Sequence, residues 1–283
     1  MVHTLLFFIR RDHYAADLAQ ARRCLESLAD SAHKNTVIYN QGCLSNDELS
    51  RLVSKYDLEC TILGEGKNIG IVAGRQRCFE YIWSKAPKTK FISELHLDMI
   101  FPPGWENSLL DYLGHSDEPV ISSGIVDGLG QCAALPGEVH ALPREPGKWA
   151  PFLLRLRQDK IVPGFVHPCI HNSKILREVG GYDLAYLQGN QCYEDDSLLL
   201  GYYLYYGTRA DWQPKINYNS VVYHEVAAQR LGLDDCIQNY VGLIRQYGLM
   251  GQKYLGRLHA NPTQKAFFSS QYHFLCGAEK KSL

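Results

Sequence analysis

The chain carries no excess of either charge: its 283 residues include 29 Lys and Arg against 30 Asp and Glu, a formal net charge of −1. That balance removes the electrostatic basis for a dedicated binder of nucleic acid or anionic membrane. No segment approaches the roughly 18 consecutive apolar residues needed to cross a bilayer. The longest early run is Leu5 to Ile9, and the Leu- and Tyr-rich stretch from Leu198 to Tyr206 is broken by Gly201. Membrane contact is therefore expected to be peripheral at most. No cationic segment followed by a long apolar core opens the sequence. The nine cysteines include no CxxC pair, so neither a zinc clip nor a disulfide framework can be read from their spacing. A reduced, cytoplasmic chain is the expectation. Internal repeats and low-complexity tracts are also missing, which excludes solenoids and disordered scaffolds.

The composition is that of a globular protein, 46% hydrophobic and 21% charged, with enough apolar residues for a sizeable core. Short apolar runs alternate with helical patterns through the first half, the signature of βαβ units and a largely parallel sheet. Strands are expected over 4–9, 36–39, 59–63 and 90–95. Tyr14, Leu18, Ala21, Leu25 and Leu28 recur at helical spacing between the first two. Ser45-Asn46-Asp47-Glu48 forms a capping box ahead of Leu49, Leu52, Val53 and Tyr56, and 71–83 reads as a third helix. Residues 127–160 hold many Gly and Pro and no sustained period, which predicts a lid or binding loop. Beyond them, Ile175, Leu176 and Val179 end in Gly180-Gly181, a helix closed by glycine. Glu194-Asp195-Asp196 leads into another helix, 212–222 reads as strand ending at His224, and an amphipathic helix follows Asp234.

Right-handed crossovers place the carboxyl ends of such strands along one edge, where open α/β sheets bind ligands. Asn40, Asn68 and Asp98 all fall just past strand ends and are expected to face one crevice. His96 and Asp98 form an HxD pair at the mouth of the fourth strand, a position where oxygen and imidazole ligands suit Mg²⁺ or Mn²⁺. Taken alone, the pair reads first as a strand-end carboxylate capping the next turn. For Glu194-Asp195-Asp196 the alternative is an acidic first turn that complements a helix dipole; mutual repulsion among the three would raise at least one pKa, as suits a base.

The run from Phe91 through His96-Leu97-Asp98 to Pro102-Pro103-Gly104-Trp105 resembles the strand, DxD motif and PPGW turn of family 2 glycosyltransferases with the GT-A fold. Lys67-Asn68-Ile69-Gly70 with Gly74-Arg75-Gln76 is similar to that family's N-x-G…AR-N segment. Gly180-Gly181-Tyr182-Asp183 followed by Tyr193-Glu194-Asp195-Asp196 resembles its G-G-F-D…E-D pair, and His224 stands where such enzymes carry a late histidine. The four motifs keep the family's order over about four fifths of the chain. Two departures are visible. His96 replaces the first aspartate of DxD, and Tyr39-Asn40-Gln41-Gly42 replaces the acidic turn that commonly reads the base, leaving the nucleobase open.

The resemblance implies a single α/β domain of nucleotide-diphospho-sugar transferase type, with a mixed, mostly parallel central sheet and helices on both faces. The catalytic domain is expected over 1–230, with a nucleotide-binding half at about 1–105 and an acceptor-side half at about 106–230. Residues 231–283 would form a helical C-terminal extension. The implied activity is metal-dependent, inverting transfer of a sugar from a nucleotide sugar, UDP preferred, to a small-molecule, glycan or peptide acceptor. By that resemblance Asp195 is the general base and Glu194 its supporting acceptor ligand. Asn68, Arg75 and Asp98 are expected to contact the donor, as are Asn40 and Arg10 from their places just past strand ends, and Asp98, His96 and His224 are expected to hold Mn²⁺ or Mg²⁺. Alternatives are a sugar-1-phosphate nucleotidyltransferase, for which Ile9-Arg10-Arg11-Asp12 lacks the G-x-G-T-R phosphate loop, and a catalytically silent nucleotide-sugar or glycan-binding module.

Overall fold

The computed structural model describes all residues except 134, 136, 138, 208, 210, 226–235 and 280–283. Among the described residues one nine-stranded sheet forms the centre. The first half of the chain alternates β1 (Val2–Phe7), α1 (Tyr14–Leu28), β2 (Asn35–Asn40), α2 (Asn46–Val53), β3 (Glu59–Leu63), α3 (Ile71–Lys85) and β4 (Phe91–Leu95). The two-residue strand β5 (Met99–Ile100), α4 (Asn107–Gly114) and β6 (Val120–Val126) follow. Next come α5 (Trp149–Arg155), β7 (Ile161–Pro163), β8 (Cys169–Asn172), α6 (Ser173–Glu178), α7 (Glu194–Tyr206) and β9 (Lys215–His224). The helices α8 (Cys236–Leu258) and α9 (Pro262–Glu279) close the fold.

The sheet runs β3-β2-β1-β4-β8-β6-β9-β5, with β7 against β9. Pairings among β1 to β4 are parallel, as the βα alternation predicts, whereas β8 enters antiparallel between β4 and β6. Helices cover both faces. On one face Leu25 and Leu28 of α1, Leu49 and Leu52 of α2 and Leu109 of α4 pack on Leu5, Phe7 and Leu95. On the other, Phe79 and Ile82 of α3, Leu198 to Leu200 of α7 and Leu243 and Leu255 of α8 pack on Ile92 and Cys169. Period-2 alternation lets neighbouring residues of one strand serve the two layers. The α8 helix bends at Gly248 (φ 61°).

Local signals explain the element starts. Ser45 accepts from the Glu48 amide while Glu48 accepts from the Ser45 amide, the reciprocal cap that the sequence predicts. Asn172 caps α6, and Gly180 (φ 89°) follows that helix in the left-handed region where glycine carries no Cβ penalty. Two expectations change. Residues 127–160 are not wholly loop: α5 buries Trp149, Phe152 and Leu153, and the Trp149 ring meets Tyr223 of β9 at 4.4 Å, because the apolar residues there form one short helical face. The expectation of wholly reduced cysteines also fails, since Cys192 is disulfide-bonded, although Cys24, Cys43, Cys60, Cys78, Cys132, Cys169 and Cys276 are free. Asp234, read as preceding the late helix, lies outside the described residues, as do 280–283 at the end of the expected extension. No helix among the described residues is long and apolar enough to cross a membrane.

Candidate active site

Strand pairing brings distant residues together. The antiparallel contact of β5 with β9 sets Met99 opposite His224, and the Glu225 amide donates to the Asp98 carbonyl at 3.1 Å. Asp98 and His224, 126 positions apart, thereby become neighbours: His224 Nε2 lies 3.4 Å from Asp98 Oδ1. The His96 ring meets the His224 ring edge-on at 5.0 Å. Donor atoms of His96, Asp98 and His224 all lie within 4.8 Å of one another.

A test of whether these residues suit a divalent cation comes from the tautomer of His224. Its Nδ1 donates to the His167 carbonyl at 3.1 Å, which turns the Nε2 lone pair toward the Asp98 carboxylate. Two acceptors facing at that distance are stabilised by a cation between them, either a proton or a metal ion. The residues therefore fit such an ion, and two imidazoles with one carboxylate suit Mn²⁺ better than Mg²⁺.

Pairing of β4 with β8 matches Glu94 to Cys169, and the same register continued by two residues sets His96 opposite His167. Their rings stack at 4.7 Å. His167 Nδ1 in turn lies 3.7 Å from Asp195 Oδ2, in the first turn of α7. Asp98, His224, His96, His167 and Asp195 thus form one unbroken row. Although a third of the Asp195 side chain stays accessible, its carboxyl sits deep enough that burial pushes its pKa well above the usual carboxylate range. The charges of Glu194 and Glu94 push it further, with Arg75 opposing. His167 moves the other way: burial, and then Arg75, holds it well below the ordinary imidazole value, so it is neutral at pH 7. The acid turn begins at Tyr193, whose φ of 60° redirects the chain into α7.

Under this row lies a buried polar knot. Glu94, fully buried, pairs with Arg75 at 2.6 Å, meets His171 Nε2 at 2.7 Å and accepts from the Tyr182 hydroxyl at 3.1 Å on each oxygen. Its carboxyl stays ionised: burial opposes the charge, but Arg75 and His171 outweigh it. Glu94, His167 and Cys169 also gather within 4.8 Å, yet the Arg75 guanidinium already supplies the cation there.

At the carboxyl ends of β1, β2 and β3, on the same sheet edge, opens a cavity of about 510 Å³ lined by Arg10, Gln41, Cys43, Lys67 and Asn68 among others. Arg10 is held at its wall by two hydrogen bonds to buried Asp17, at 2.9 and 2.8 Å. Asn68 is exposed there and accepts from the Gly70 amide at 2.9 Å. Two expected donor contacts are corrected. Asn40 is fully buried: it donates to the Leu44 carbonyl and Asn46 Oδ1 and accepts from the Gly42 amide, so its amide shapes the 41–46 loop. Arg75 is 2% exposed and spent on Glu94, because α3 directs it under the sheet rather than toward the cavity. The sequence reading overlooked His167, Glu94 and His171. Alternation of His167, Cys169 and His171 was the available signal: polar residues two apart share one face of a strand.

No protein-family model matches the chain, and no curated protein sequence matches it either. Solved structures do. The likeness to S. aureus TarS has a TM-score of 0.52 at 11% identity over 96% of this chain and 42% of that one. GalNAc-T7, solved with UDP, GalNAc and Mn²⁺, gives 0.55 at 12% over 79% and 43%. The fold is that of a GT-A-like glycosyltransferase. The mannosyltransferase PcManGT from Pyrobaculum calidifontis, in complex with GDP-Man and Mn²⁺, gives 0.51 at 12% identity over 98% of this chain and 75% of its own. The chain spans under half the length of TarS and of GalNAc-T7; at such identities the likeness is one of fold.

Proposed function

We propose that this protein is a metal-dependent, inverting glycosyltransferase that moves a sugar from a nucleotide sugar, UDP-linked by preference, to a hydroxyl of a small-molecule, glycan or peptide acceptor. The observation that carries this reading is the row from the His96, Asp98 and His224 donor set through His167 to the raised carboxyl of Asp195. Neighbours in fold solved with UDP or GDP-Man and Mn²⁺ support the same chemistry. On this reading the chain divides into a nucleotide half at about 1–105 and an acceptor half at about 106–230, a division for which the cavity over β1 to β3 is the support.

Each residue then has a role. The cavity takes the nucleotide, with Arg10, already fixed by Asp17, and Asn68 at its wall. His96, Asp98 and His224 hold the divalent ion; when bound, it offsets the charge that collects on the departing diphosphate. Asp195 receives the proton of the attacking acceptor hydroxyl, and its raised pKa lets a weakly acidic proton transfer to it. Glu194 maintains that pKa and contacts the acceptor. A single base on the far side of the sugar from the leaving group produces inversion.

A panel of UDP- and GDP-sugars, incubated with and without Mn²⁺, tests the reading: nucleoside diphosphate should be released only with Mn²⁺, and Asp98→Asn should abolish both release and Mn²⁺ binding by calorimetry. Tight nucleotide-sugar binding with no release would show a silent binding module instead.

A further inference from the structure

We infer that His167 is a positioning residue that couples the cation-binding set to the general base. This inference rests on the transferase reading above. Three separate contacts carry it. The His167 carbonyl accepts from His224 Nδ1 at 3.1 Å and so selects the tautomer that presents Nε2 to Asp98. Its ring stacks on His96 at 4.7 Å and so limits how that imidazole can turn. Its Nδ1 faces Asp195 Oδ2 at 3.7 Å. Of these, the first belongs to the backbone and the other two to different parts of one side chain.

The position is rigid. His167 is 7% exposed, sits two residues before the paired strand β8, and has Phe165 packed edge-on against its ring at 5.4 Å. With Nδ1 turned toward Asp195 Oδ2, the imidazole orients that carboxyl from outside its own helix. The groups whose charges act on Asp195 are Glu194 and Asp196 of its own helix, Glu94 of β4 and Arg75 of α3. His167 adds a directed dipole to that set. Because the ring and the nitrogen act on opposite walls, substitutions that keep one and remove the other separate the two roles.

His167→Phe keeps the ring under His96 and the carbonyl to His224 but deletes the nitrogen facing Asp195. His167→Asn keeps the carbonyl and a side-chain N–H near the Nδ1 position but deletes the ring. The probes are Mn²⁺ alone, measured by calorimetry, and metal-dependent release of nucleoside diphosphate from the nucleotide sugar that the wild type turns over, both on the full chain with folding checked by circular dichroism. His167→Phe should bind Mn²⁺ within about twofold of wild type while kcat falls at least about tenfold at unchanged KM. His167→Asn should bind Mn²⁺ about tenfold more weakly, because the ring that limits how His96 turns is gone, yet recover most of kcat at saturating Mn²⁺. Equal losses of Mn²⁺ affinity and kcat in both variants would reduce His167 to general scaffolding and overturn the inference, as would no change in either. A wild type that binds no Mn²⁺ would overturn the metal-centre reading and this inference with it; normal wild-type binding beside indistinguishable variants would overturn this inference alone.

Discussion

Replacement of Arg75 by methionine separates two accounts of that residue. As a phosphate contact, Arg75 would matter for donor affinity and little for stability. As the counter-ion of Glu94, it would matter for stability first. Glu94 is fully buried and its pair with Arg75 is 2.6 Å long, so removing the guanidinium strands a charge that His171 and Tyr182 only partly satisfy. Breaking one partner of a buried pair costs about 3–5 kcal/mol. An unfolding entropy of about 2.1 cal/mol/K per residue gives ~0.6 kcal/mol/K for 283 residues, so ~4 kcal/mol lowers Tm by ~7 °C. Removing both charges, as Arg75→Met with Glu94→Gln, should recover more than half of that loss, because no unpaired charge then stays inside. Differential scanning calorimetry at pH 7 measures both. A single variant that melts within about 2 °C of wild type but no longer binds nucleotide would refute the counter-ion account and return Arg75 to the donor site.

Asp195→Asn should bind Mn²⁺ and nucleotide as the wild type does, by calorimetry, while transfer falls by about 10²–10⁴, since only the proposed proton acceptor is lost; a wild-type rate would remove Asp195 as base. Acid should weaken the fold through His3, which burial lowers to about 4 while Glu106 opposes the shift. The folded pKa lies below the unfolded 6.5, so the unfolded chain takes the proton first; stability is whole above pH 6.5 and falls by about 3 kcal/mol toward pH 4. Urea midpoints between pH 7 and 4.5 should shift less in His3→Asn than in wild type, and identical slopes would discount His3. Asn239, fully buried, accepts from the Gly189 amide at 2.6 Å and donates to the carbonyls of Gln191 and Cys192 at 3.1 and 2.9 Å, just before the acid turn. Asn239→Ala should cost about 2–4 kcal/mol in urea denaturation, from several buried groups left unpaired; a change under about 0.5 kcal/mol would show that the loop holds itself.

The α8 helix supports the acid-bearing segment at further points. Gly242 packs so closely that a Cβ there would meet the Tyr186 carbonyl at 1.9 Å, Tyr247 donates to the Ser197 carbonyl, and His259 pairs with Asp196 at 2.6 Å. Helices that read in sequence as an extension share one apolar cluster with α7. Amphipathic period announces that such a helix has a buried face but not which surface covers it.

Local chemistry was enough to specify many of the elements, though not α5 or β8. The capping box at Ser45, the apolar spacing of α1, the run at β3 and the glycine after α6 act over three or four residues, and a linear sequence displays such signals directly. His96 and Asp98 stood out by their place at a strand end, and His224 and Asp195 by resemblance to a motif. What each side chain meets was decided by the sheet. Insertion of β8 antiparallel beside β4 put His167 against His96, and the two-residue β5 delivered Asp98 to His224. Arg75 and Asn40 look from sequence like ligand contacts, because polar residues at strand and helix ends usually face solvent. Only the packing of α3 beneath the sheet and the closure of the 41–46 loop showed that both are buried, and a buried polar group must find its partners within the protein.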